Sequence, residues 1–325
     1  MSLGVGVIGG GLMGAAHIRT ITGGVDGAHV AAVSDVDAAR AAAAAREGDG
    51  ARVAGDPHEL IRDPAVDAVV VASVDATHEQ FVRACLAAGK PVLCEKPLAT
   101  DAGACLRIVE EEVAAGRRLV HVGFMRRYDP AYTAVKHTLD DGGVGDVLMI
   151  HCAHRNASVP PTYTTDMLIT NSVVHEIDAS RWLLGEEIVG ATVHTPRSTS
   201  QAANGLKDPQ LVLLESEGGV LIDVEIFVNA GYGYDIRCEL VGESGTVSLA
   251  DHGGTQIAPD FRERFAAAYA RELDAWVRAV DGGPKFGPSA WDGYAANAVA
   301  DACLESQATG RRAEVRLERR PELYD

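Results

Sequence analysis

Over its first 123 residues the chain alternates short β-branched runs with alanine-rich stretches, and that alternation admits few folds. Residues 5–8, 30–33, 68–71, 92–94 and 119–122 read as strands. Residues 12–21, 37–46, 77–88 and 101–115 between them read as helices. Strands that are apolar on both faces, each followed by a helix, specify a parallel sheet covered on both sides. The expectation is therefore an α/β chain that opens with a doubly wound domain. The alanine run at 41–45 fits a helix of strong formers better than a low-complexity segment.

The pattern changes after residue 123. Strand candidates at 147–153, 188–195, 211–215, 220–228, 236–241 and 246–249 follow one another mostly without helices. Glycine-rich turns fall at 217–219 and 242–245, where hairpins would close. Strands joined this way form a large, mostly antiparallel sheet. Helices are expected near 168–184 and 261–281, and a last one near 288–308 that packs back on the first domain. A chain of 325 residues suits two domains, here 1–123 and 124–325, and no Pro/Ser-rich linker separates them. The expectation is tight joining, with a cleft between them.

Lys and Arg number 29 against 46 Asp and Glu, a net charge of −17. That balance argues against binding nucleic acid or an anionic membrane surface, both of which need a basic face. No apolar run approaches the length of a membrane span. The first residues carry no basic group before their apolar stretch and read as a strand rather than a signal peptide. Six scattered cysteines without a C-x-x-C pair read as reduced core residues, so the expected compartment is the cytoplasm.

Gly9-Gly10-Gly11-Leu12-Met13-Gly14 is a G-x-G-x-x-G loop between a strand and a helix. Gly9 permits the tight turn, Gly11 lets a pyrophosphate approach, and Gly14 allows close helix–strand packing. Leu12 and Met13 open the helix whose free N–H groups face the phosphates. Asp35 closes the second strand, where a carboxylate accepts from both ribose hydroxyls and repels a 2′-phosphate. No arginine follows it directly, and the expected cofactor is NAD. Asp37 reads as the cap of the next helix. Glu95-Lys96-Pro97 ends a later strand on the side where ligands of such sheets sit. There Lys96 either reaches the nicotinamide end or is a solvated strand-end lysine, and the residues alone leave both open.

The glycine loop, Asp35 and Glu95-Lys96-Pro97 together resemble the Gfo/Idh/MocA family of NAD(P)-dependent sugar and polyol oxidoreductases. Further segments resemble its inositol 2-dehydrogenase branch: Gly123 to Asp129, His151 to Asn156, Tyr163 to Met167, His175-Glu176-Ile177-Asp178 and Tyr232 to Asp235. The resemblance covers essentially the whole chain. It implies a Rossmann domain with Glu95 and Lys96 at the cofactor, followed by an α/β domain with an open sheet, and it allows a cis Lys96–Pro97 bond. It also implies a hydroxyl proton taken by His175 while Lys96 stabilises the alkoxide, and substrate hydroxyls held by Arg126, His154, Asn156 and Tyr234.

Asn171 stands where the branch usually has Asp. On the helix expected here Asn171, at i−4, and Asp178, at i+3, share one face with His175, and Asp178 is a possible substitute for the usual Asp. His151-Cys152-Ala153-His154 does not read as a metal site, because His151 points away from the other two on a strand. The implied reaction is NAD-dependent oxidation of a cyclitol hydroxyl, with a small polyol as substrate and a homo-oligomer, a tetramer, as the assembly. The alternatives are a dehydrogenase of another cyclitol or an aldose, and a catalytically silent NAD-binding regulator.

Overall fold

The structure, a computed structural model, describes residues 2–203, 205–283 and 287–325. The elements run β1 Leu3–Ile8, α1 Leu12–Gly24, β2 Ala28–Ser34, α2 Ala38–Glu47, β3 Arg52–Val53, α3 Pro57–Arg62, β4 Ala68–Val71, α4 His78–Ala87, β5 Val92–Cys94, α5 Ala102–Ala115 and β6 Val120–Val122. Then come α6 Pro130–Asp140, β7 Val147–Arg155, a π-helical segment Leu168–Val173, α7 Val174–Leu184, β8 Ile188–His194, β9 Gln210–Ser216, β10 Leu221–Phe227, β11 Asp235–Gly242, β12 Thr246–Ser248, α8 Phe261–Arg264, α9 Ala266–Val280, α10 Ala290–Thr309 and β13 Ala313–Glu314. Two compact units result. One is Met1–Phe124 with Tyr269–Tyr294 and Arg319–Asp325; the other is Met125–Ala268 with Ala295–Glu318. The unit boundaries thus fall inside α9 and α10.

The first unit holds a six-stranded parallel sheet in the order β3-β2-β1-β4-β5-β6. The order reverses between β1 and β4, the switch point at which such sheets bind ligands. Val5, Val7, Val33, Val70 and Leu93 are fully buried and pack with Ile18 and Ile21 of α1 and with Leu273, Trp276 and Val277 of α9. Each such burial stabilises by about 1.5–3 kcal/mol. The alanine run of α2 buries Ala41, Ala44 and Ala45, so its small face lies inward. β3 and α3 form a strand–helix pair too short to register as a periodic run.

The second unit holds a seven-stranded sheet ordered β12-β11-β7-β10-β9-β8-β13. All its pairings are antiparallel except β7 with β10. A parallel pair needs a crossover of a dozen or more residues, and residues 156–220 supply it. Met149, His151, Leu213, Leu221, Asp223 and Glu225 lie on the face that is not buried, while Ile150, Cys152, His154, Ile222, Val224 and Ile226 lie on the buried one. Where one helix was expected over 261–281, the chain breaks at Phe265 into α8 and α9.

Candidate active site

The loop after β1 carries two glycines, Gly9 and Gly14, that no other residue could replace. Gly9 sits at φ +98°, and a Cβ there would lie 2.4 Å from the carbonyl oxygen of Ala72. A Cβ on Gly14 would lie 1.8 Å from the Gly9 carbonyl oxygen, so α1 can approach β1 this closely only with glycine. Gly11, the N-cap of α1, faces open space, which is the room a pyrophosphate needs at a helix N-terminus. Leu12 and Met13 form the first turn of α1. These features fit NAD.

Asp35, just beyond β2, accepts hydrogen bonds from Gly10 N at 2.7 Å and Asp37 N at 2.8 Å. It also meets Arg40, whose Nη2 donates at 2.8 Å and whose Nε donates at 3.2 Å. Burial raises the carboxyl pKa, but Arg40 and the two backbone donors more than offset it and hold it below the usual range. Asp37 caps α2, accepting from Ala39 N and Arg40 N.

At the end of β5 the Lys96–Pro97 bond is cis. The Glu95 carboxylate is buried and lies 2.6 Å from Nε2 of His17 on α1. Burial pushes this carboxyl up, yet His17 and then Lys96 bring it below its ordinary value. His78 Nδ1 sits 2.7 Å from the Pro97 carbonyl oxygen, so two buried histidines brace the turn that presents Lys96. Glu95 thus reaches His17 with its side chain, and the half-buried Lys96 follows it in the same turn.

The second unit brings Arg126, His154, His175 and Tyr234 together. Arg126 comes from the turn Met125–Tyr128 and is 1% exposed. Its Nη1 donates to Glu176 Oε1, and also to the Tyr132 hydroxyl at 3.3 Å. His154 Nδ1 lies 3.1 Å from both Glu176 oxygens and 3.1 Å from Arg126 Nη2, so one ring nitrogen meets both members of the ion pair. Tyr234 meets the His154 ring edge-on at 5.7 Å, and the His175 ring lies 6.4 Å from that of His154. Burial pushes the Tyr234 phenol up to about 12, with Arg126 pulling the other way, so it stays a neutral donor at ordinary pH.

Glu176 went unassigned in the sequence, although it is the hub. Buried to 1%, it would be pushed up by burial alone. Arg126 and His154 reverse that and hold it ionised. The available sign was the pairing of patterns: Arg126 and Arg127 are adjacent, and two carboxylates lie close together at 176 and 178. Each arginine takes one of them, Arg127 donating to Asp178 at 3.0 and 2.5 Å.

Asn171 lies in the π-helical segment and His175 is the second residue of α7, which starts at Val174. Asp178 pairs with Arg127. Thr170 Oγ1 donates to Asn171 Oδ1 at 3.2 Å. Asn156 follows β7 directly, its N–H donating to the Phe227 carbonyl and its own carbonyl accepting from Ala230. His151 lies on the opposite, exposed face, paired with Asp223.

Comparison with known proteins agrees with both units. Residues 3–124 match an oxidoreductase family described by its NAD-binding Rossmann fold, and residues 136–316 match that family's C-terminal alpha/beta domain. Inositol 2-dehydrogenase 2 of Saccharopolyspora erythraea is 57% identical over 334 residues, spanning 100% of this chain and 98% of that protein. Inositol 2-dehydrogenase of Burkholderia ambifaria is 51% identical, spanning 100% and 99%. The crystal structure of myo-inositol dehydrogenase from Lactobacillus casei, in complex with NAD(H) and myo-inositol, superposes with a TM-score of 0.96 at 37% identity, with 100% of each chain covered.

Proposed function

The chain belongs to the Gfo/Idh/MocA oxidoreductase family, and from that premise we propose that it oxidises the C2 hydroxyl of myo-inositol to 2-keto-myo-inositol. It is an NAD-dependent dehydrogenase acting on a CH–OH group. The observation that carries the substrate is the end-to-end correspondence with inositol 2-dehydrogenases. The polar cluster supports it. A cyclitol presents hydroxyls all round its ring, and His154, the Tyr234 phenol and His175 form a set of polar groups for them. Arg126 and Glu176 both meet His154 Nδ1 and hold that ring in place.

The Gly9–Gly14 loop and Asp35 would hold NAD, which would supply the hydride acceptor for oxidation of the carbinol carbon. His175 takes the hydroxyl proton, the task of a general base whose ordinary pKa lies near neutrality. Lys96 orients the reacting oxygen and stabilises the developing alkoxide. Asn156 and Asn171 contribute neutral hydrogen-bonding groups. We further assign the protein to the cytoplasm, in keeping with six buried, unbridged cysteines, and to a homotetramer whose contacts include the exposed sheet face.

The test is NADH formation over a panel of inositol isomers and aldoses, followed by near-ultraviolet absorbance. myo-Inositol should give the highest kcat/KM. A flat trace with every polyol would instead indicate a silent NAD-binding regulator, the reading that Asn171 favours. His175→Ala should lower kcat by about 10²–10⁴-fold with NAD affinity intact. Lys96→Ala should lower kcat and kcat/KM together, as loss of a transition-state contact requires. Substantial turnover in His175→Ala would remove the histidine from the mechanism.

A further inference from the structure

Arg40 lies on the one carboxylate that decides between NAD and NADP. Its side chain is 50% exposed, whereas that of Asp35 is 6% exposed. The cation therefore sits on the solvent side of the buried acid. Asp35 Oδ1 accepts from Asp37 N and from Arg40 Nη2 at 2.8 Å, while Oδ2 accepts from Gly10 N. Arg40 Nε lies 3.2 Å from each oxygen. Two carboxylate oxygens offer about four lone-pair directions, and these donors already take up that number. A ribose 2′- or 3′-hydroxyl that bonds Asp35 must share or replace a place held by Arg40.

The same arrangement changes the repulsion that a 2′-phosphate would meet. Asp35 alone presents a negative charge to it, whereas Arg40, paired with Asp35 at 2.8 Å and with the Asp37 carboxylate at 3.5 Å, cancels one of those two charges. The guanidinium fork is suited to bidentate phosphate binding. The long, half-exposed side chain is anchored at N3 of α2 by its backbone N–H, which donates to Asp37 at 3.1 Å. Its fork can therefore turn from carboxylate to phosphate by side-chain rotation alone.

We infer that Arg40 sets the cofactor discrimination of this site, relaxing the exclusion that Asp35 imposes and admitting NADP as a weaker second cofactor. In the NAD-bound form the arginine yields part of its hold on Asp35 to the ribose hydroxyls. In the NADP-bound form it leaves Asp35 for the 2′-phosphate. This rests on the nucleotide-binding reading of the Gly9–Gly14 loop, and the two are tested separately.

The experiment is isothermal titration of the full-length wild-type protein and Arg40→Ala with NAD and with NADP, at low and at high salt, alongside kcat/KM with each. The wild type should bind both, NAD more tightly. Arg40→Ala should weaken NADP by at least about tenfold while NAD stays within about threefold, so the ratio of the two dissociation constants widens. Arg40→Lys should keep part of the NADP affinity as a point charge, and high salt should shrink the wild-type advantage over Arg40→Ala. Three results would overturn the inference: no NADP binding by the wild type, unchanged NADP affinity in Arg40→Ala, or equal losses for NAD and NADP. The last would make Arg40 a general contact of the nucleotide. Failure of NAD itself to bind would overturn the nucleotide-binding reading and the inference with it.

Discussion

Arg126 and Glu176 form an ion pair from which water is excluded, and removing one member leaves the other charge stranded. Breaking such a pair costs about 3–5 kcal/mol. Glu176→Gln should therefore lower stability by that order at neutral pH, measured by denaturant unfolding. The pH dependence has a fixed sign. The folded pKa of Glu176 lies below its ordinary value, so its contribution is complete above the ordinary glutamate range, near about 4.3, and is lost as pH falls through the folded value. The gap between wild type and Glu176→Gln should be widest at neutral pH and narrow in acid. Equal stability at pH 7 would mean that Arg126 has another counter-charge. At this scale the sequence was informative where a residue's chemistry is local. Gly9, Gly14 and Asp35 are readable because a strand end and a turn dictate their surroundings. Glu176 and Arg40 were not, because their meaning lies in a partner 50 positions away for the one and in a side chain folding back for the other.

At the scale of the element, the approach to α7 shows what periodicity misses. From Val174 to Arg181 every residue is buried, polar ones included, so there is no apolar stripe to set a phase. The preceding π-helical segment, Leu168–Val173, breaks the phase again by widening the turn. The helix was legible as a helix; the π winding of its approach was not. The mixed sheet is a similar case. Its hairpins were readable from Gly218-Gly219 and the turn at 242–245, but the parallel pairing of β7 with β10 depends on a crossover that local pattern does not encode. Asn171→Asp tests the π segment directly. A carboxylate near His175 would stabilise its protonated form, each pKa unit being worth about 1.4 kcal/mol. The expected outcome is a higher apparent pKa in the pH–rate profile and a rise in kcat of at least about tenfold. A silent substitution would mean that the widened turn aims residue 171 away from the imidazole, leaving it a neutral substrate contact.

At the scale of the whole molecule, the second sheet exposes more apolar surface than a solitary chain would be expected to carry. Leu221 is 53% and Met149 40% exposed, in register with each other on β10 and β7, and Leu211 and Leu213 continue the patch on β9. Contiguous apolar area of this kind marks an association surface. Interleaved with it are charges of both signs, Arg155 and Arg237 beside Asp223, Glu225 and Glu239. A face that carries both signs can pair with its own copy about a two-fold axis, each charge meeting its opposite. This is the physical content of the proposed homo-oligomer, and it makes Leu221 the residue to test. Leu221→Asp adds a carboxylate to a face already rich in them and removes apolar area from its centre. Because the side chain is half exposed, the isolated chain should keep its fold, with circular dichroism unchanged. Light scattering coupled to size exclusion should then give a lower mass for Leu221→Asp than for the wild type at micromolar concentration. A wild type that is already monomeric would show that the exposed face is not a self-association surface, and an unchanged mass in the variant would place the contacts elsewhere on the molecule.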